Sequence, residues 1–275
     1  MAVAGRGPVR PAAVAGEFYP ADAAVLLRTV DSLLEYASGS PNAGKLSEIP
    51  AALIAPHAGY AYSGPVAAAA YARLRPAARH VRHVAIVGPA HFRRFEGMAL
   101  PGSRAFATPL GDVAVDLHAV ARIEGVPGVV CDDATHAREH SLEVQLPFLQ
   151  RVLEHFEILP VVVGEADPQA IAELVLRVLG EDTVVIVSSD LSHYLTYEDA
   201  RIVDREAARR ILTLDASVDE EHACGATPLN GLLLAAQRAG LQPELLDLRS
   251  SGDTAGYDER VVGYGAFAFT IGAAA

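Results

Sequence analysis

Three histidines in this chain follow closely on short apolar runs. His57 comes after Ala51-Ala52-Leu53-Ile54-Ala55-Pro56, and His91 after Val84-Ala85-Ile86-Val87-Gly88-Pro89-Ala90. His193 comes after Val184-Val185-Ile186-Val187-Ser188-Ser189-Asp190-Leu191-Ser192. Imidazole suits two kinds of chemistry, metal ligation through a neutral ring nitrogen and proton transfer near neutral pH. Runs of this type read as strands buried on both faces, as in parallel sheets, and open α/β sheets bind ligands beyond the carboxyl ends of their strands. Parallel strands bring those ends to one edge. The three histidines, with Asp190 beside the last, therefore point to a metal site or an acid/base site. Pro56 and Pro89 fix the backbone just before His57 and His91 and would hold both rings in place.

The elements that must position these residues are legible from periodicity. Apolar residues at Val25, Leu26, Val30, Leu33 and Leu34 predict a helix over 22–36, and the Gly/Ser/Pro/Asn-rich stretch 37–50 reads as a loop. Ser63-Gly64-Pro65 opens a second helix filled by Ala67 to Ala70. The stretch 104–116 reads as a hairpin, 118–124 as a short helix, and Gly128 through Cys131 to Asp133 as a loop. Leu142, Leu146, Leu149 and Leu153 predict a helix kinked at Pro147. A strand over 159–164 and a helix over 168–179 precede the Val184 strand, which a long helix over 197–214 follows. The last elements are a helix over 229–239 and strands over 244–250 and 261–271. Strands alternating with helices imply one α/β domain over 10–275, after a flexible tail over 1–9. Its sheet is expected to be mostly parallel, with helices on both faces and some antiparallel strand at an edge.

Competing motifs are weaker. His136-Ala137-Arg138-Glu139-His140 has the H-x-x-E-H form of inverted zinc proteases, which needs both histidines on one face of a continuous helix. The residues before His136 read as loop, so the match is taken as coincidence. Gly263-Tyr264-Gly265-Ala266-Phe267-Ala268 fits a dinucleotide fingerprint but sits in a terminal strand with no helix to open. No G-x-S-x-G elbow is present, so Ser188 and Ser189 read as caps of the turn or helix that follows.

Composition bounds the function. The net charge of −12, from 34 acidic against 22 basic residues, argues against a dedicated nucleic-acid binder. Lys45, the only lysine, lies in a polar segment and is a poor Schiff-base candidate. Two widely separated cysteines, Cys131 and Cys224, do not suggest a structural disulfide. No apolar run is long enough for a membrane helix, and Met1 to Pro11 lacks the apolar region of a secretory signal. The expected location is the cytoplasm, without membrane or nucleic-acid partners.

Several blocks together resemble the Memo family, known in bacteria and archaea as AmmeMemoRadiSam system protein B. They are residues 12–20, Ala55-Pro56-His57-Ala58-Gly59-Tyr60 with Tyr62-Ser63-Gly64, and Gly88-Pro89-Ala90-His91. Glu139-His140-Ser141-Leu142-Glu143-Val144-Gln145-Leu146-Pro147-Phe148, Ser188 to Tyr194, Cys224-Gly225 and Tyr264-Gly265 continue the match in order. The resemblance implies the fold of the catalytic subunit of class III extradiol (LigB-like) dioxygenases, which use non-haem iron. It implies a metal pocket of His57, His91 and Cys224, an acid/base role for His193, and places for Asp190 and His140 near the same pocket. Cys131 matches no family motif.

Cys224 departs from the two-histidine, one-carboxylate set of non-haem Fe(II) oxygenases, and a thiolate shifts preference toward softer or redox-active metals. The dioxygenase activity therefore does not transfer with the fold. The first expectation is a metal-dependent redox enzyme holding one divalent ion, iron first, with copper and zinc as alternatives. The others are a binding or adaptor module that uses a vestigial pocket for a peptide or small molecule, and a zinc-dependent hydrolase. The family name adds AMMECR1-like and radical-SAM proteins as expected partners.

Overall fold

The β-branched runs form the centre of the sheet. The computed structural model of the chain describes residues 4–39, 49–256 and 259–272. In chain order the elements begin with β1 (Gly7–Arg10), α1 (Ala23–Ser38), β2 (Ala52–Ala55), α2 (Tyr60–Ala72), β3 (His83–Pro89) and β4 (Met98–Leu100). They continue with β5 (Ser103–Thr108), β6 (Gly111–Ala114), α3 (Leu117–Arg122), β7 (Val129–Cys131), α4 (Asp133–His136), α5 (Leu146–Val152) and β8 (Glu157–Val163). The last are α6 (Pro168–Val178), β9 (Thr183–Ser188), β10 (His193–Leu195), α7 (Tyr197–Leu212), α8 (Ala226–Ala239), β11 (Leu241–Ser250), α9 (Ser251–Ala255) and β12 (Val261–Ile271).

The large sheet runs β10-β12-β2-β9-β3-β8-β4-β7, with β11 also paired to β12. Its centre, β2-β9-β3-β8, is parallel throughout. Antiparallel pairs flank that centre on both sides, β12 against β2 and β4 against β8, rather than at one edge alone. The architecture is the expected single α/β domain with a mostly parallel sheet, consistent with a dioxygenase-like fold. Side chains of one strand alternate between faces. Leu53, Val184 and Ile186 pack under α1, α2 and α5, with Leu26, Tyr71 and Phe148. Ile54, Val185 and Val187 pack against α6, α7 and α8, with Ile171, Ala207 and Leu232. Two covered faces explain why the middles of these strands are apolar at successive positions. Complete burial of Ile54 or Ile186 contributes roughly 1.5–3 kcal/mol each. Among the described residues, no helix is long and apolar enough to cross a membrane.

Several elements differ in detail from expectation. Ordered pairing begins at Gly7, inside the segment read as a tail, because β1 lies parallel to β5 in a small β1-β5-β6 sheet. The loop read over 37–50 falls largely outside the described residues. The segment 128–133 is not simply loop but contains β7 and the start of α4. Pro147 kinks nothing: a 3-10 turn over Glu143–Gln145 comes first, and Pro147 sits in the first turn of α5, where its missing N–H costs no hydrogen bond. The stretch 104–116 is the expected hairpin, β5 and β6.

Candidate metal centre

The carboxyl ends of β2, β9 and β3 lie side by side, with Ala55 opposite Ser188 and Val87 opposite Val187. Chain leaving β2 passes through Pro56 and is caught at once: Asp190 Oδ1 accepts the backbone N–H of His57 at 2.7 Å and of Ala58 at 3.3 Å. Cys224 reaches the same edge from the other direction, just before α8. Gly225, the N-cap of α8, permits that approach, since a Cβ there would stand 2.7 Å from the Ser189 side chain. Ser189 Oγ also accepts the Gly225 N–H at 2.9 Å.

Hydrogen-bond partners decide which ring nitrogens are free. Ser188 Oγ donates its one hydrogen to the Ser141 carbonyl at 2.6 Å and accepts from Gln145 Nε2 at 2.8 Å. It can only accept from His57 Nδ1, 2.9 Å away, so that nitrogen carries the proton and Nε2 keeps a lone pair. Nε2 faces Cys224 Sγ at 3.3 Å. The same logic applies to His91, whose Nδ1 donates to Glu139 Oε1 at 2.9 Å. It applies again to His193, whose Nδ1 donates to the Leu191 carbonyl at 2.8 Å. One ligand atom each from His57, His91 and Cys224 lies within 4.8 Å of the others. Two imidazoles with pinned Nδ1–H groups and a thiol fit a divalent transition metal.

At neutral pH the electrostatics keep the His57 ring and the Cys224 thiol uncharged. Burial, reinforced by His91 and His140, pushes His57 well below its ordinary pKa, so the ring is neutral. Burial, then the neighbouring Asp190 carboxyl, pushes the Cys224 thiol up to about 12. Burial also raises Asp190, to about 6. Burial works the same way on Glu139, but hydrogen bonds from His91 outweigh it, with the Ser141 N–H helping, and hold its carboxyl at about 2. Glu139 is therefore an anion throughout the neutral range, and Asp190, at about 6, is mostly ionised there as well. His140, lowered to about 4 by burial and by His91, stacks on His91 at 4.5 Å with Phe18 at 4.6 Å from its own ring. Its Nδ1 is buried without a hydrogen-bond partner.

The predicted residues His57, His91 and Cys224 thus converge, and His140 joins them. His193 is near enough to influence His57 and Asp190 electrostatically. Asp190 grips the backbone of His57 rather than the ring of His193. Of the H-x-x-E-H residues, His136 ends α4, with Nε2 donating to the Ala99 carbonyl at 2.9 Å, while His140 lies beyond the helix. The two histidines share no helix face.

Ser188 does not cap the element after it, as the sequence suggested, but holds the His57 ring. Glu139, Ser188 and Gln145 as ring-orienting groups escaped sequence reasoning. The one signal available was that all three lie in the motif blocks that carry the family resemblance.

Comparison with known proteins agrees with this picture. A family model described as "Memo-like protein" matches residues 10–268. A protein of Methanopyrus kandleri named "MEMO1 family protein MK0963" is 37% identical over 282 residues, covering 96% of this chain and 99% of its own. A "MEMO1 family protein" of Ignicoccus hospitalis is 36% identical, covering 96% of this chain and 99% of its own. Another from Nitrosopumilus maritimus is 33% identical, covering 95% and 99%.

Proposed function

The chain belongs to the Memo family, and from that premise we propose that it is a metal-dependent redox enzyme whose centre is held by His57, His91 and Cys224. The observation that carries this reading is the paired tautomer assignment. Ser188 and Glu139 fix protons on Nδ1 of His57 and His91, leaving both Nε2 lone pairs for a metal beside a thiol sulfur. The chemistry such an ion supplies is electron exchange with substrate or dioxygen if it is iron or copper, and Lewis acidity if it is zinc.

The chain's own residues do the rest. Asp190 anchors the backbone that carries His57. Glu139 orients His91 and balances charge at the site. His140 stacks on one face of the His91 ring, and Phe18 packs in turn against His140. His193, with Nδ1 tied to the Leu191 carbonyl, has Nε2 available to take a proton from a bound substrate or return one. Replacement of a carboxylate ligand by Cys224 separates this centre from the extradiol dioxygenases it resembles. Action beside AMMECR1-like and radical-SAM partners, on a small-molecule or peptide substrate, belongs to the same reading and rests on the family resemblance.

The test is dioxygen uptake by protein loaded with Fe(II) under nitrogen and mixed with aerated buffer. Uptake above that of free Fe(II), slowed about 10²–10⁴-fold in His193→Ala, supports the assignment. Uptake no faster than free Fe(II) would favour a binding module that uses the pocket without turnover.

A further inference from the structure

Among the described residues, two that are not glycine have left-handed backbones, Leu214 at φ 55° and Tyr194 at φ 59°. Leu214 lies just beyond α7, after its C-cap Thr213, where the Asp215 N–H turns back to the Arg210 carbonyl at 2.8 Å, an ordinary use of that conformation. Tyr194 has no such excuse. It is the extra residue of a β-bulge: His193 pairs with Val262 and Leu195 with Val261, so Tyr194 has no opposite number on β12. Left-handed bulge positions are where glycine serves by default, and a bulky side chain there is a genuine outlier. The bulge alone would re-aim His193 whatever residue occupied it. A tyrosine at that position therefore calls for a reason of its own.

Its ring supplies one. Tyr194 is 68% exposed and stands nearly edge-on to His193, with centroids 5.7 Å apart and planes at 70°. It is not alone beside the site histidines. Phe92, 47% exposed, follows His91 directly with its ring 5.9 Å from His140, and Tyr62, 42% exposed, sits in the first turn after His57. Three of the four exposed aromatic residues among those described thus lie on segments that carry the site histidines; the fourth is Tyr36. Strain retained at a functional site is part of how the site works.

We propose that Tyr194 is a specificity-determining residue, whose ring forms the outer wall of the metal centre and stacks on a planar aromatic group of a small-molecule substrate. This rests on the metal-centre reading for what lies beneath the wall, but the wall itself can be tested without metal. The chain contains no tryptophan, so Tyr194→Trp carries a single indole reporter. Metal-free and metal-loaded protein are titrated with benzyl alcohol and with its saturated counterpart, cyclohexylmethanol, by indole emission in the variant and by calorimetry in the parent.

Benzyl alcohol is expected to bind about three- to tenfold more tightly than cyclohexylmethanol. Tyr194→Phe keeps that preference and Tyr194→Gly loses it. Relief of the left-handed strain raises the thermal midpoint of the glycine variant by about 2–4 °C. A glycine variant that keeps the aromatic preference, or a parent protein that shows none, overturns the proposal. So does a preference seen only with a tyrosine-containing peptide and never with benzyl alcohol, which would assign the wall to a macromolecule. Lack of metal binding would sink the redox reading while leaving the preference measurable in metal-free protein.

Discussion

Glu139 grips His91 twice: Oε1 accepts the ring Nδ1–H at 2.9 Å, and Oε2 accepts the backbone N–H at 2.7 Å. Oε1 also accepts the N–H groups of His140 and Ser141, each at 2.9 Å, so one carboxylate sets the ring, its tautomer and the adjoining loop. Partners of this kind are worth about 10–100-fold in metal affinity. Glu139→Gln, which keeps one oxygen and the shape, is expected to weaken metal binding by about that factor while the protein stays folded. Competition against a chelator of known affinity, with circular dichroism as the folding control, measures both. An unchanged affinity would mean that His91 is not a ligand.

Metal loading should release a proton. Without metal, the Cys224 thiol, raised to about 12 by burial and by Asp190, is protonated at neutral pH, and His57, depressed by burial, is already neutral. A metal ion that binds the thiolate must displace the thiol proton, whereas the His57 ring has none to give up. About one proton is therefore expected to leave, and affinity should rise about tenfold per pH unit across roughly pH 6–8. Calorimetry in buffers of different ionisation enthalpy reads the proton directly. A binding heat independent of buffer would remove Cys224 from the ligand set.

Much of this site was legible in the sequence because it depends on where strands end. His57, His91 and His193 each follow a run whose burial on both faces makes it readable, and parallel pairing then obliges the ends to meet. Cys224 follows no strand and was found only through family resemblance. Glu139 was visible only inside H-x-x-E-H, a pattern rightly set aside for the chemistry it usually marks. Its real partner, His91, lies 48 residues away in sequence, and no local periodicity encodes such a contact. Ser188 was misread for the same reason, since its bonds run to Ser141, Gln145 and His57 across the fold. Pro147 was misplaced because a 3-10 turn and a helix start present the same leucine spacing as one longer helix.

His136, the discarded half of that motif, should govern acid stability instead. It is 2% exposed, and burial lowers its pKa to about 4, despite the bond to the Ala99 carbonyl that pulls the other way. A folded-state pKa below the unfolded value of 6.5 gives stability that is complete above pH 6.5 and lost as pH falls through about 4. The contribution is on the order of 3 kcal/mol. Urea unfolding of metal-free protein at several pH values between 7.5 and 4 is expected to show a shallower loss in His136→Gln, which cannot charge, than in the parent. Parallel losses in the two proteins would contradict this assignment.

Metal content by plasma mass spectrometry, on protein purified without oxygen, tests the central claim most directly. The parent chain is compared with Cys224→Ala and His193→Ala. The account predicts stoichiometric divalent metal in the parent and in His193→Ala, and its loss from Cys224→Ala. A parent protein without metal, or a Cys224→Ala variant that retains all of it, would contradict a centre built from His57, His91 and Cys224.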